Sequence, residues 1–194
     1  SASWTAPTYG GGGGSPNIVS NGVSRDNSAY YDAYWDDAQF GPDLEAYVTV
    51  ATAGGEIYLD ARVGGSIGTT NATDAYQLYI DMTGTHTWYL YRIDDTTNAV
   101  QLGATITQTI ANGDAVGIEI IGTTIKAYHK PAAGSWTEKM SRTDSTYTGA
   151  GYIGLGLKGA SVKLDDFGGG TVVVGGAAAS FPPIRRGKLW RRKL

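Results

Sequence analysis

The sequence predicts an all-β fold of the sandwich or barrel type, and three observations lead to that prediction. Glycine accounts for 29 of 194 residues and tyrosine for 13; glycine suits tight turns, and tyrosine suits pleated, half-buried strands. Apolar and polar residues alternate with a period of two over many short segments. These segments recur about every ten residues between turn residues, which is the spacing of sandwiches and barrels.

The first element, residues 1–16, is predicted to be a glycine-rich N-terminal arm. It contains five consecutive glycines, Gly10 to Gly14, between Pro7 and Pro16. Such a segment loses more backbone entropy on ordering than its few apolar groups can compensate. We therefore place the sandwich domain at residues 17–170.

Within this domain, about ten segments keep one apolar face by alternation and are predicted to be strands. Each sheet should therefore bury one face and expose the other. The segment 114–130 is interpreted as two strands joined by a turn at Gly122. The other predicted strands are 45–52, 55–64, 74–82, 86–94, 100–110, 136–144, 151–159 and 161–170, preceded by an aromatic-rich early strand and loop at 29–43.

The last segment, residues 171–194, is predicted to be a linker followed by a basic C-terminal arm. Pro182 and Pro183 favour an extended path into that arm. The arm carries six of the 15 basic residues, whereas all 18 carboxylates precede it. Such a charge asymmetry indicates a segment that meets a partner. The predicted contact residues of the arm are Arg185, Arg186, Lys188, Trp190, Arg191, Arg192 and Lys193.

Composition excludes several kinds of site. The chain has no cysteine and two histidines, so thiolate chemistry is excluded and a histidine-based metal centre or triad is not expected. No apolar run reaches the roughly 18 residues of a membrane-spanning helix. The N-terminus lacks the charged start and apolar core of a signal peptide. We therefore expect a soluble protein with no membrane partner.

A more specific pattern begins at Gly113. The sequence GDAVGIEIIGTTIKAY is followed by DSTYTGAGYIGL and by a last strand that ends in DDF. This stretch resembles the second half of the concanavalin A-like lectin and glucanase jelly rolls, close to their laminin G-like branch. The resemblance implies an antiparallel two-sheet jelly-roll sandwich. It also implies that a concave face or rim loops contact sugars, with a calcium ion in some members.

Catalysis is implied by this resemblance only for the glucanases, which carry two or three carboxylates on one strand face as E-x-D-x-x-E. That pattern is absent. Glu56 and Asp60 lie on one face of a predicted strand, but with a different spacing. A retaining glycosidase needs two carboxyls about 5 to 5.5 Å apart, one with a raised pKa. The sequence offers no obvious pair, so we predict that the protein is not an enzyme.

The segment 29–43 supplies the candidate binding residues. It combines Tyr30, Tyr31, Tyr34 and Trp35 with four aspartates. Aromatic rings stack on the C–H face of a sugar while carboxylates accept hydrogen bonds from its hydroxyls, so we predict that these four aromatic residues contact a glycan or a partner. The alternative is that they pack an early strand, because aromatic side chains also dominate cores.

No cofactor is predicted, although a structural calcium ion stays open. Asp165 and Asp166 at the end of the last predicted strand could contribute oxygen ligands. Their position before a glycine-rich turn favours local hydrogen bonding instead. No segment matches the twelve-residue calcium loop.

The basic arm has three candidate partner classes. An acidic protein surface fits it, including the body of a sister copy, and nucleic acid would be attracted to it, with Trp190 able to stack on a base. An anionic membrane would also attract it, but no leader or lipid anchor supports that partner. Arms on both sides of a compact body are typical of assembly components, because about 16 extended residues span roughly 50 Å.

These observations lead to two hypotheses of function. The first is a non-catalytic virion structural protein, specifically an outer head decoration protein of a bacteriophage that binds the capsid or sister subunits through its arms as a homo-oligomer. The alternative is a carbohydrate-binding module or lectin that recognises surface glycans. The first hypothesis predicts a location on the outer surface of a virion. The alternative predicts a soluble extracellular protein.

Overall fold

The computed structural model describes residues 4–5, 17–19, 22–24, 30–65, 73–95 and 97–173, with the backbone alone described for 4–5 and 17–19. These residues form strands and turns, and no helix long and apolar enough to cross a membrane is found among them. The strands are β1 (Trp4–Thr5), β2 (Asn17–Val19), β3 (Gly22–Ser24), β4 (Tyr30–Trp35), β5 (Leu44–Thr52), β6 (Glu56–Gly65), β7 (Thr73–Asp81), β8 (Thr87–Asp94), β9 (Asn98–Gln101), β10 (Ile106–Thr107), β11 (Ala115–Ile121), β12 (Thr124–Lys130), β13 (Thr137–Thr143), β14 (Tyr152–Lys158) and β15 (Lys163–Thr171).

The strands form two antiparallel sheets, which confirms the predicted two-sheet sandwich. The first sheet has eight strands in the order β1-β4-β14-β6-β7-β8-β10, with β9 also paired to β8. The second sheet has seven strands in the order β13-β12-β11-β5-β15-β3-β2. Strands that are distant in the chain are neighbours in both sheets, so most of the pairing is non-local.

The core lies between the inner faces of the two sheets. On β6, Ile57 and Leu59 are fully buried in it, and on β11, Ile118 and Ile120 meet them from the second sheet. Because successive side chains on a strand point to opposite faces, the residues between these positions belong to the outer faces. The polar half of each alternating pattern therefore lies on the two outer surfaces.

The predicted strands correspond to observed strands with one exception. The segment predicted as one strand at 100–110 is two short strands, β9 and β10, separated at Gly103. Gly103 has a φ of 75°, a conformation that glycine adopts without strain and that interrupts a strand. The alternation continues across this position, so the pattern alone did not reveal the break.

The predicted arms fall mostly outside the described residues. Within the N-terminal arm, β1 pairs with β4, with Trp4 opposite Trp35. Thr171, the first residue of the predicted linker, continues β15 beside Leu44. The rest of the two arm predictions lies outside the described part of the chain, and so do all seven contact residues proposed for the basic arm.

A buried arginine joins loops of both sheets at one end of the sandwich. Arg62, near the end of β6, is 3% exposed. Its guanidinium donates to the carbonyl oxygens of Pro42 at 2.7 Å, Tyr147 at 2.6 Å and Gly122 at 2.7 Å. These carbonyls belong to three separate connections, so one side chain satisfies acceptors that would otherwise be buried without donors.

We expect Arg62→Lys to lower the free energy of unfolding by at least about 2 kcal/mol, because one ammonium cannot reach three carbonyls in the directions that the planar guanidinium serves. Urea unfolding measures this. Arg142→Lys is the matched control, since Arg142 also donates to carbonyls, of Leu102, Ser141 and Ala104, but near the surface. The control should change stability by less than about 1 kcal/mol, and equal losses in the two variants would contradict the special role of Arg62.

Candidate functional site

The structure divides the aromatic cluster predicted from the sequence between two faces of β4. Tyr30 and Tyr34 lie on the outer face of the first sheet, whereas Tyr31 is 4% exposed and Trp35 packs against the main core. This division follows from strand alternation, because adjacent residues on one strand cannot share a face. Tyr34 is itself largely buried beside Tyr152, with ring centroids 5.5 Å apart. Contact of these four residues with a ligand stays a prediction, and the accessible position among the tyrosines is that of Tyr30.

Three further strands add tyrosines to the same outer face. Tyr58 on β6 lies opposite Tyr79 on β7, and Tyr79 lies opposite Tyr89 on β8. Tyr30 flanks this line at one end, and Tyr91 follows Tyr89 on β8 at the other. We call Tyr30, Tyr58, Tyr79, Tyr89 and Tyr91 the tyrosine row. All five side chains are half-buried, so each retains some access to solvent.

The rings of the tyrosine row stack on one another. The ring centroids of Tyr58 and Tyr79 are 4.9 Å apart with an interplanar angle of 13°, and those of Tyr79 and Tyr89 are 5.0 Å apart at 24°. These distances equal the separation of neighbouring strands, about 4.8 Å, so the rings stand side by side instead of lying flat. The ring faces are therefore used within the protein, and the ring edges are the parts left to solvent.

Charged side chains border the tyrosine row. Glu56 accepts a hydrogen bond from the Tyr58 hydroxyl and pairs with Lys158 Nζ at 2.8 Å. Asp81 lies opposite Glu56 on β7. Burial, together with the neighbouring Glu56, raises the pKa of both Tyr58 and Tyr79 well above the ordinary value. Both phenols therefore keep their protons at neutral pH, and the hydroxyls of both are hydrogen-bonded to Glu56.

Beside the row, two aspartates contact each other over β14, whose outward-facing residues at this point are glycines. On the outer side of β14, Gly156 lies opposite Asp32 and Gly154 lies opposite Asp60. A Cβ on Gly156 would lie 3.2 Å from Asp32 Oδ1, and one on Gly154 would lie 3.1 Å from Asp60 Oδ2. The two carboxyls thus occupy the space over the glycines and contact each other.

Both carboxyls of this pair are removed from water, with Asp32 4% and Asp60 3% exposed. Gln77 Nε2 donates to Asp60 Oδ1 at 2.8 Å, and the Tyr30 hydroxyl donates to Asp32 Oδ2 at 2.8 Å. Burial, and for Asp32 also the charge of Asp60, raises the pKa of both groups. The sequence offered no obvious carboxyl pair, and this one was not visible in it because β4 and β6 bring together residues that lie far apart in the sequence.

The outer face of the second sheet holds a second acidic pair. Glu45 on β5 lies directly opposite Glu119 on β11. Burial and the charge of Glu119 raise the pKa of Glu45 to about 7. The Tyr128 hydroxyl donates to Glu119 Oε1 at 3.0 Å. The ring of Tyr47 covers Gly168 on this face, because a Cβ there would lie 2.7 Å from the Tyr47 Cζ.

A shallow depression of about 420 Å³ lies at the edge formed by β9 and β13, where its lining residue Gln101 is the strand partner of Tyr91. Its charged lining residue is Arg142, whose guanidinium donates to the carbonyls of Leu102, Ser141 and Ala104. Because these donors serve the protein's own backbone, the depression offers little to a ligand.

Asp165 and Asp166 form a local turn, as the alternative interpretation predicted. Asp165 Oδ1 accepts a hydrogen bond from the Asp166 backbone N–H at 2.7 Å, and Asp166 has a φ of 47° at an irregularity in the pairing of β15 with β5. Across the described ranges, no group of three or more histidine, aspartate or glutamate side chains is arranged to hold a metal ion.

Sequence reasoning missed most of the tyrosine row because it looked for a cluster in one segment. The signal was present in the alternation. Tyr58, Tyr79, Tyr89 and Tyr91 all occupy polar-side positions of predicted strands, and the first three have apolar core residues on both sides. A large aromatic residue at an outward position on three strands indicates a shared face, but the strand order needed to align them was not in the sequence.

No protein-family model matches the chain, and no curated protein matches its sequence. Solved structures do match. The carbohydrate-binding module CBM66 from Bacillus subtilis is 13% identical, with a TM-score of 0.62 over 87% of this chain and 96% of that one. The exoplasmic/lumenal domain of VIP36 in a Ca²⁺/Man-bound form is 13% identical, with a TM-score of 0.65 over 91% and 86%. A Bacillus subtilis protein of unknown function with a galectin-like fold is 12% identical, with a TM-score of 0.58 over 86% and 88%.

These similarities concern the fold. They support the resemblance to the concanavalin A-like sandwiches, and they extend over nearly the whole length of both chains in each comparison. At this level of identity, a shared fold does not indicate which side chains form a binding site. The function must therefore be argued from the tyrosine row and its surroundings.

The glycines of β14 provide a test of this geometry. We expect Gly156→Ala to destabilise the protein by about 1 to 3 kcal/mol, because the added Cβ would lie 2.8 Å from the Tyr31 carbonyl oxygen and close to Asp32 Oδ1. Thermal or urea unfolding measures this. Gly149→Ala is the control, since a Cβ there has no atom within 4 Å. A Gly156→Ala variant as stable as the control would contradict the close approach of Asp32 to β14.

Proposed function

We propose that this protein is a non-catalytic glycan-binding domain and that the tyrosine row, with the charged groups beside it, is the binding surface. The observation that carries the proposal is the alignment of Tyr58, Tyr79 and Tyr89 on adjacent strands of one outer face. An aromatic line of this kind on the outside of a sandwich serves no core, because the core lies on the opposite face of the same strands.

The chemistry of the surface suits sugar hydroxyl groups. Phenolic hydroxyls donate and accept, and the carboxylates of Glu56 and Asp81 accept, so neighbouring positions offer both halves of a hydrogen bond. The aligned rings extend over two strand intervals, about 10 Å, which is long enough for more than one sugar ring. We propose that a glycan lies along the row and that its hydroxyls bind to the outward edges of the rings.

The comparisons support this choice of ligand class. One similar structure is described as a carbohydrate-binding module, and another is described in a mannose-bound form. Both share the sandwich of this chain at the level of the fold. A soluble extracellular location follows as part of the proposal, because that is where a binding domain of this kind meets surface glycans.

The buried carboxyl pair does not convert this surface into a hydrolase. A glycosidase needs its two carboxyls in contact with substrate, with space between them for the scissile bond. Asp32 and Asp60 contact each other instead, and both are buried. We therefore propose binding without catalysis at this face.

The virion decoration hypothesis stays a prediction. Its argument rests on the two arms, and the residues proposed for them lie almost entirely outside the described ranges. The capsid, the sister subunits and nucleic acid as partners of the basic arm stay untested for the same reason. The glycan-binding proposal is preferred because it rests on side chains whose positions are described.

We expect the protein to bind neutral oligosaccharides on a glycan array and Tyr79→Phe to weaken that binding by about fivefold, because the variant loses one hydrogen bond of about 1 kcal/mol while keeping the ring. Tyr79→Ala should weaken it further, since the neighbouring rings lose their stacking partner. Isothermal titration with the strongest array ligand measures both effects.

Tyr128→Phe is the matched control for this experiment. Tyr128 also donates its hydroxyl to a glutamate, but it lies on the second sheet. Binding in this variant should equal that of the unchanged protein within a factor of about two. Absence of any glycan binding, or equal losses in the Tyr79 and Tyr128 variants, would overturn the proposed surface.

A further inference from the structure

The contact between Asp32 and Asp60 raises the question of where its hydrogen-bond donor comes from. The backbone N–H of Ala33 lies near the Asp32 carboxyl, but no donor in the described part of the chain forms a hydrogen bond of ordinary geometry with Asp32 Oδ1, although this atom is fully removed from solvent. Its polar neighbour is the carboxyl of Asp60. Two ionised carboxylates have no proton to share, so a hydrogen bond between them requires that one of them is protonated.

The glycines of β14 leave the space in which the Asp32 and Asp60 carboxyls contact each other. Asp32 and Asp60 come from strands on either side of β14, and their free oxygens both lie over Gly154 and Gly156. The other oxygens are already used, by Tyr30 on one side and by Gln77 on the other. If both carboxyls were ionised, two buried negative charges in contact would repel each other strongly. Retention of one proton by the pair removes that repulsion and supplies the missing donor.

The pair is connected to the tyrosine row through Tyr30. The Tyr30 hydroxyl donates to Asp32 at 2.8 Å, and the Tyr30 ring packs edge-on against Tyr58, with centroids 4.7 Å apart. A displacement of the Asp32 side chain therefore moves one end of the row.

The other groups that face the pair do not replace the proton. On β6, Tyr58 and Glu56 bond to each other, and on β7, Gln77 is uncharged and Tyr79 is a phenol with a raised pKa. The nearest cation on β14 is Lys158, which is paired with Glu56 at 2.8 Å and is 45% exposed.

We propose that Asp32 and Asp60 hold a single shared proton in the folded protein and that its loss at higher pH displaces Tyr30 and weakens ligand binding at the tyrosine row. The second half of this proposal rests on the proposed function, whereas the first half does not. The pair would thus make a glycan-binding face sensitive to pH, with binding strong in acid and weaker in alkali.

The sign of the effect on stability follows from proton linkage. In the unfolded chain, both aspartates ionise near their ordinary pKa of about 4. In the folded protein, the pair keeps one proton to higher pH because burial raises both pKa values. Folding therefore takes up protons above about pH 4, and stability falls as pH rises until the folded pair has ionised.

The first arm of the test measures this proton without any ligand. Urea unfolding from pH 4 to 9 gives the number of protons taken up on folding, and Asp32→Asn should reduce that number by about one near neutral pH, because the Asn amide can donate to Asp60 directly. Asp60→Asn is the second variant and should do the same. The infrared absorption of protonated carboxyls at neutral pH should lose the contribution of the aspartate pair in both variants and keep that of Glu45, whose pKa is about 7.

Glu45→Gln is the matched control. Glu45 also has a raised pKa, of about 7, but it lies on the second sheet. Its variant should change the pH profile of stability and leave the infrared band of the aspartate pair intact. Retention of the band in both aspartate variants, or an unchanged proton uptake in them, would overturn the shared proton.

The second arm measures binding of the neutral trisaccharides mannotriose and cellotriose by calorimetry at pH 5 and pH 9. The unchanged protein should bind at least about fivefold more weakly at pH 9, and Asp32→Asn should show little difference between the two pH values. Tyr30→Phe should also lose the pH dependence of binding while keeping the proton uptake, because it breaks the connection between pair and row.

The outcomes separate the two proposals. Proton uptake with pH-independent binding would overturn the connection through Tyr30 and leave the glycan-binding function standing. Proton uptake with no binding of either trisaccharide, or of any array glycan, would overturn the proposed function and leave the shared proton standing.

Discussion

The outer face of the first sheet depends on β14, a strand that has glycine at two neighbouring outward-facing positions. Gly154 and Gly156 leave the outer side of β14 empty, and this space is what allows the carboxyls of Asp32 and Asp60 to meet. The position of Asp32 holds Tyr30, and Tyr30 packs against Tyr58 at the start of the tyrosine row. A side chain on either glycine would fill the space that the two carboxyls occupy and would displace Asp32 or Asp60. The geometry of the face thus follows from the absence of two Cβ atoms.

In the proposed binding surface, stability and ligand contact involve different parts of the same tyrosine side chains. The ring faces contact each other across β6, β7 and β8, which stabilises the sheet by about 0.5 to 1.5 kcal/mol for each pair. The ring edges remain on the outside. A surface built in this way is held rigid before a ligand arrives, so little side-chain entropy is lost on binding.

The two outer faces of the sandwich differ in how their buried carboxyl groups are arranged. On the first sheet, two aspartates are brought together over glycines and contact each other directly. On the second sheet, Glu45 and Glu119 lie opposite each other, and Tyr128 donates to one of them. In both places the antiparallel register puts like charges side by side, which costs stability unless a proton or a donor intervenes.

The fold and part of the site could be predicted from the sequence because strand alternation is a local property. The alternation in 55–64, 74–82 and 86–94 separates core residues such as Leu59, Leu78 and Leu90 from outward ones, and the structure confirms these strands. The same rule explains why the cluster in 29–43 divides: Tyr30 and Tyr31 are adjacent and so lie on opposite faces. The break at Gly103 was not predicted, because the alternation continues through it.

The sequence by itself determined that the chain forms half-buried strands, that cysteine chemistry is absent, and which residues of each strand point outward. The tertiary structure decided which strands are neighbours. The placement of β14 between β4 and β6 brings together Asp32 and Asp60, and the adjacency of β6, β7 and β8 aligns Tyr58, Tyr79 and Tyr89. The physical reason is that side-chain direction follows from backbone geometry within one strand, whereas strand order depends on the packing of two whole sheets around a common core.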